Sequence, residues 1–366
     1  MQQRGLHELH RELSRRDLLR LAGLGLSGLG LAAIVGCGSD DGNGGPATTP
    51  AVVADPPPET TTIRLGRNVV APRMAPFYLA EQFLMEEGFT NVQYIDVAPG
   101  SGGTGGSFQQ IASGEMDITL HFAQSVTVAA DAGDPILLLA GVHNSMLVLF
   151  GNERVQSLRD LKGKRFAGSR DANDPRYAFI AALLAYIGID VEHDVEFVDV
   201  DISGLLSGAQ TGDIDAWAVT RPLSTAFRNA NIGHVLLDGA VDPPWSQYFG
   251  AMATANRDFV EQHPAATKRA LRAILKATDV CAEEPERAAR YLVDKGFTTY
   301  TYDQVLDIIT GVSFAAWREF DPEDTMRFYA LRLREAGLVK STPDELIARA
   351  TDWRYLDEIK RELGVA

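Results

Sequence analysis

Cysteine is nearly missing from this chain: two residues in 366, Cys37 and Cys281. A framework of internal disulfides is excluded, and so is a zinc site built on paired C-x-x-C. Histidine is sparse at seven, and no H-E-x-x-H, G-x-S-x-G or phosphate-cradling G-x-x-x-x-G-K-[ST] run occurs. The common signatures of zinc proteases, serine hydrolases and P-loop nucleotidases are therefore absent. Positive charge is short as well. Lys and Arg total 34 against 49 Asp and Glu, a net charge of −15. Nucleic acid and flat binding to anionic lipid both require a basic face, which this composition does not supply. Beyond residue 36 no apolar run reaches membrane-spanning length, and no segment recurs at a fixed period.

What is present begins at the N-terminus. Ser14-Arg15-Arg16-Asp17-Leu18-Leu19-Arg20 fits a twin-arginine export signal, and the uncharged stretch 21–35 behind it has the length of a signal h-region. The stretch ends on Ile34-Val35-Gly36-Cys37, which looks like a bacterial lipobox. In that reading residues 1–36 are removed and Cys37 is lipidated; the alternative is an uncleaved anchor helix with Cys37 a small apolar residue. Both place the remainder outside the cytoplasm and attached to the cell membrane. Cleavage leaves 330 residues with a net charge near −17, enough for two domains with real cores. Residues 37–62, rich in Gly, Pro, Thr and Asp, read as a flexible linker. Cys281 falls in a helical pattern and reads as a packing residue.

From residue 63 strand-like and helix-like segments alternate: strands near 63–70, 92–97, 117–121 and 136–140, then a second series at 165–168, 195–200, 216–219 and 235–237. Such alternation means an α/β chain with largely parallel sheets. Beyond residue 256 the pattern is almost all helical. The expected architecture is two lobes, 63–145 plus 248–366 and 146–247, each a mostly parallel sheet flanked by helices, with the C-terminal helices packed on the first lobe.

Candidate ligand contacts lie where strands give way to turns. The run 99–107 holds Gly102, Gly103 and Thr104 and carries a nominal G-x-G-x-x-G. A dinucleotide site is rejected, because the helix that follows is too short and the acidic partner is missing. The glycines either let backbone amides approach a bound molecule or form a merely flexible loop. Around Asp174-Pro175 a helix start points amide groups outward, with Arg170 and Asn173 just before it. That arrangement suits an anion, unless the neighbouring aspartates simply pair with the arginines. Phe77, Phe122, Trp217 and Tyr248 are aromatic residues near predicted strand ends and are candidates to hold a planar group. His121 and His143 fall at the ends of two strands of the first lobe, where they serve as hydrogen-bonding groups more readily than as a metal pair with no third ligand.

Five segments together resemble the substrate-binding proteins of ABC importers, in the subgroup that takes sulfonates, taurine, nitrate and thiamin-pyrimidine precursors. They are APRMAPFYLAEQFLMEEGF at 71–89, IASGEMDITL at 111–120, LRDLKGKRFAG at 158–168, TGDIDAWAVTRP at 211–222 and ANRDFVEQHPAATKRALRAILKA at 255–277. The resemblance implies a periplasmic-binding-protein fold of type II, with ligand held in a cleft between lobes that close about two crossing segments, near 142–151 and 248–254. It places Arg73, Met74, Phe77, Gly102, Gly103, Thr104, His121, Phe122, His143, Asn144, Arg170, Asn173, Thr220 and Arg221 at the ligand. It implies a small-molecule ligand, a permease with its ATPase as partners, a monomeric body and no cofactor. The cysteine-rich run of the family's pyrimidine-forming enzyme is absent, so no catalytic residue is expected. A ligand-sensing accessory lipoprotein, or an extracytoplasmic enzyme using His121 or His143, are the alternative readings.

Overall fold

The computed structural model describes residues 55–365 except 69, 98–104, 201 and 222. The signal segment, Cys37, Gly102, Gly103 and Thr104 lie outside the described residues. Among the described residues no helix is long and apolar enough to cross a membrane.

Among the described residues ten strands form two five-stranded sheets. The first contains β1 (Thr62–Arg67), β2 (Asn91–Asp96), β3 (Ile118–Phe122), β4 (Ile136–Asn144) and β10 (Phe249–Asn256), in the order β2-β1-β3-β10-β4. The second contains β5 (Leu147–Gly151), β6 (Arg165–Ala167), β7 (Glu196–Val198), β8 (Ala216–Thr220) and β9 (His234–Asp238), in the order β7-β6-β8-β5-β9. In each sheet four strands run one way and a single strand, β10 or β5, pairs antiparallel with both neighbours. The expected mostly parallel sheets are thus mixed, each with one reversed strand that arrives from the other half of the chain. The chain passes between sheets twice, at 145–146 and 239–248.

Strand character follows burial. β4 (ILLLAGVHN) and β10 (FGAMATAN) are buried at every position, as a continuous run of apolar and small residues demands in a sheet covered on both faces. β2, at the edge, alternates exposed and half-buried positions.

One device recurs in both sheets. Asp117 stands just before β3 and accepts the Arg64 amide at 2.7 Å and the Arg64 guanidinium of the adjacent β1. Asp215 stands just before β8 and accepts the Arg165 amide at 3.1 Å, the Arg165 guanidinium of β6, Arg154 Nε at 2.7 Å and Asn152 Nδ2. Burial alone would raise the Asp215 pKa. The Arg165 amide and guanidinium, with Arg154 and Asn152, outweigh it and hold the carboxyl down to about 2. A carboxyl held below its unfolded value of 3.8 stabilises the fold above pH ~4, and that contribution disappears as pH falls toward 2. Asp215→Asn is expected to lower unfolding stability at pH 7 by about 2 kcal/mol. The gap from wild type should close as the denaturation series is carried to pH 2.

Helices cover the sheets. Pro264–Glu283 buries Leu271, Ile274, Leu275 and Cys281 and packs on Ala75–Glu86. Burial pushes the Cys281 thiol well above its usual range. The start of Pro264–Glu283 has no side-chain cap of its own. The carboxylate of Glu59 supplies one, accepting the Ala265 and Ala266 amides at 2.9 Å each. Asp55 adds ion pairs to Lys268 at 2.7 Å and Arg272 at 2.6 Å. Residues 55–59, which the sequence reading places at the end of the linker, are thus docked on this helix. Pro322–Glu335 lies against both Ala123–Ala132 and Pro175–Tyr186, so the C-terminal helices touch elements of both sheets and not the first alone. Its Phe328 stacks on Tyr248 at 4.2 Å and meets Trp245 edge-on at 5.9 Å.

Candidate functional site

β1, β3 and β4 run parallel, so their carboxyl ends lie along one margin of the first sheet, the usual place for a ligand in an open α/β sheet. The 3-10 turn Pro72–Met74 follows β1 and carries Arg73. The helix Ala123–Ala132 follows β3 at once, starting from Phe122 with no side-chain cap. β4 ends on His143 and Asn144, and Asn144 lies opposite Phe249.

Arg73 is set over the Phe122 ring, 4.4 Å from its centroid. Its Nε is buried without a hydrogen-bond partner, and among the described residues no carboxylate pairs with it. Burial lowers its pKa to about 10, so at neutral pH it is an uncompensated cation. His121 is 1% exposed, stacks on Phe108 at 4.1 Å and places Nε2 2.9 Å from Ser107 Oγ. Its Nδ1 is buried and unpartnered. His143 is 0% exposed, meets Phe314 edge-on at 5.4 Å, and has Nδ1 2.7 Å from the Asn144 carbonyl oxygen and Nε2 unpartnered. Burial first, and the Arg73 charge second, pull His121 down to about 3. For His143 burial dominates, the bond to the Asn144 carbonyl opposes it, and the Arg73 charge adds to it, with the result about 4. Both imidazoles are therefore neutral at physiological pH. The group is one guanidinium and two neutral rings with free nitrogens, in partly desolvated surroundings where electrostatic attraction is stronger than in water. It can hold a small anion. Among the described residues no cluster of three or more His, Cys, Asp and Glu is arranged for a metal ion.

The two sheets meet beside this group. Gln124 Nε2 donates to the Pro175 carbonyl at 3.0 Å, tying the start of Ala123–Ala132 to the start of Pro175–Tyr186. Asn144 donates to the Ala240 carbonyl at 3.1 Å and accepts the Ser313 amide at 2.8 Å. Thr225 Oγ1 donates to Asp307 at 3.1 Å, and Arg221 packs over Gly311, where a Cβ would come within 2.8 Å of Arg221 Cδ.

The other predicted ligand contacts have the following places in the fold. Met74 and Phe77 are buried in the core of the first sheet. Arg170 donates to the Val191 and Val195 carbonyls, pairs with Glu192 at 2.9 Å and lies over Phe197. Asn173 is exposed, with its amide bonded to Asp171. Arg176 is held by Asp174 at 2.6 Å, the aspartate–arginine pairing that the sequence left open. Trp217 is 0% exposed, between Phe150 and Phe227 in the second sheet's core. Thr220 is half-buried at the end of β8, where it pairs with Leu147. Arg221 pairs with Asp238 at 3.1 Å, and Tyr248 is half-buried on Phe328. The sequence reading missed Phe108 and Phe314, which wall the two histidines, and Gln124, which links the helix starts.

Residues 71–288 match the protein family described as NMT1/THI5 like. The bicarbonate-binding protein CmpA of Synechococcus elongatus is 27% identical over 139 residues, 37% of this chain and 29% of that protein, so the matched stretch spans under a third of that relative's length. The periplasmic nitrate-binding protein NrtA from Synechocystis PCC 6803 superposes with a TM-score of 0.64 at 17% identity, covering 84% of this chain and 90% of that one. The alkanesulfonate-binding protein SsuA from Xanthomonas axonopodis pv. citri, solved with MOPS bound, superposes with a TM-score of 0.58 at 15% identity over 82% of this chain and 99% of that one. The two-sheet architecture is that of the type II periplasmic binding proteins.

Proposed function

From the premise that the chain belongs to the NMT1/THI5-like family, we propose that it is the extracytoplasmic solute-binding component of an ABC importer and captures a small anion. The observation that supports this reading is Arg73, a half-buried cation with its Nε buried and no carboxylate partner among the described residues, whose charge acts on two neutral, buried histidines. A charge partly withheld from water and left unpaired is costly in an empty protein, and an incoming anion reduces that cost. Lobe I comprises residues 63–145 and 248–366, lobe II residues 146–247, and the ligand sits between them. Contacts from both lobes favour the closed form, and the ligand's differential affinity for the two forms drives closure. The closed body docks on a permease served by its ATPase. Lipid on Cys37 holds the body near that partner and raises its local concentration. The protein breaks no bond.

Calorimetry with nitrate, bicarbonate, short carboxylates and sulfonates tests the reading. One of these should bind one-to-one with a micromolar dissociation constant, about −8 kcal/mol, and reduce the radius of gyration. No binding by any of them, together with native mass spectra free of a retained small molecule, overturns it. For the anchor, Cys37→Ala is expected to abolish incorporation of labelled fatty acid and release the protein from the membrane fraction. Unchanged partitioning would refute lipidation.

A further inference from the structure

The two unpartnered histidine nitrogens are not equivalent. His121 Nε2 faces a serine hydroxyl, which both donates and accepts, so either tautomer satisfies that contact. His143 has no such freedom. Its Nδ1 lies 2.7 Å from a backbone carbonyl oxygen, which only accepts, so Nδ1 carries the proton. In a neutral imidazole the other nitrogen is then a bare lone pair. That nitrogen, Nε2, is fully buried with no donor to fill it. The charged group acting on the ring is Arg73, which opposes a second proton, and among the described residues no carboxylate pairs with the ring to favour one. Phe314 packs on it edge-on and cannot titrate. A buried acceptor left empty is unfavourable, and filling it is worth more than making a fresh bond in water.

Building on the anion-capture reading, we propose that the ligand is an anion bearing its own hydrogen-bond donor, an O–H or N–H that fills His143 Nε2 while the negative group meets Arg73. Acceptor-only anions satisfy Arg73 and face the His143 lone pair with another lone pair. A site built to receive a donor rejects the analogue that lacks it by large factors.

Matched pairs of equal charge and similar size at pH 8 test this by calorimetry: bicarbonate against nitrate, glycolate against propionate, isethionate against propane-1-sulfonate. In any pair that binds, the hydroxyl-bearing member should be at least about tenfold tighter. Heats in two buffers of different ionisation enthalpy should agree, indicating no proton uptake. His143→Phe should narrow the preference to within about threefold. Nitrogen-15 spectra of the wild type bound to the tighter member should show His143 protonated at Nδ1 and bare at Nε2, a readout independent of whether the variant folds. Equal binding within a pair, proton uptake on binding, or a bound imidazolium at His143 overturns this inference and leaves anion capture standing. Binding by no member of any pair overturns both.

Discussion

Arg73→Gln is expected to weaken anion binding about 100-fold or more, since a charge-assisted contact in a desolvated site is worth about 3 kcal/mol. The melting temperature of the ligand-free protein should hold or rise. The two effects have opposite signs because Arg73 has no ion pair among the described residues: its removal costs the ligand a partner and relieves the empty protein of an unpaired, half-buried charge. The variant should also lose the thermal upshift that saturating anion gives the wild type, by mass action. Calorimetry and thermal melts with and without anion measure both. Undiminished affinity would remove Arg73 from the site. A lower melting temperature with intact affinity would make it a structural residue.

Gly250→Ala should produce a large loss of stability for a single methyl group. A Cβ at Gly250 would lie 2.4 Å from Ser145 Cα, 2.6 Å from the Asn144 carbonyl oxygen and 2.7 Å from the Ser145 amide nitrogen. All three are backbone atoms where β4 ends and the first crossing begins, and they cannot turn aside as a side chain can. Overpacking of this kind costs about 1–3 kcal/mol, and here it acts between the start of β10 and the first crossing. Displacing 144–145 also shifts His143 and Asn144, so affinity should fall together with stability. Gly208→Ala is the control. The added carbon would meet Ile214 Cδ1 at 2.6 Å, the far end of a flexible side chain, and a helical position gains from alanine. Urea titrations should show a marked loss for Gly250→Ala and little change for Gly208→Ala. Comparable losses would mean the crossing segments are not unusually tight.

The fold was legible where the chain repeats local rules. Apolar runs marked the interior strands. The shared role of Asp117 and Asp215 at two strand starts was not read from the sequence, because the amides they accept lie on neighbouring strands some 50 residues earlier. His121 and His143 could be placed because a strand's end is a local property. Arg170 could not. Nothing within its own segment announces that the carbonyls of Val191 and Val195 and the Phe197 ring will engage it, for these arrive from later turns. Trp217 looked like a pocket wall because aromatics near turns often are, yet its place in β8 directs it into the core. Phe314 stayed hidden for a related reason: a residue far along a helical tail gave no sign that it returns to the end of β4.

The aromatic wedge made by Phe328 gives the molecule a built-in optical gauge. Trp245 is 1% exposed and rests edge-on against Tyr186 at 5.1 Å and Phe328 at 5.9 Å, so its rings belong to the helix Pro175–Tyr186 and to the C-terminal helix Pro322–Glu335 at once. A swing of one sheet against the other would slide the Phe328 ring past the indole, while Tyr186 travels with it, and alter its quenching. Trp217, sealed among Phe150 and Phe227 within a single sheet, moves with its surroundings and keeps a steady signal. A change in the Trp245 contribution to the emission, isolated by replacing the other tryptophans, Trp217, Trp317 and Trp353, would time such a swing.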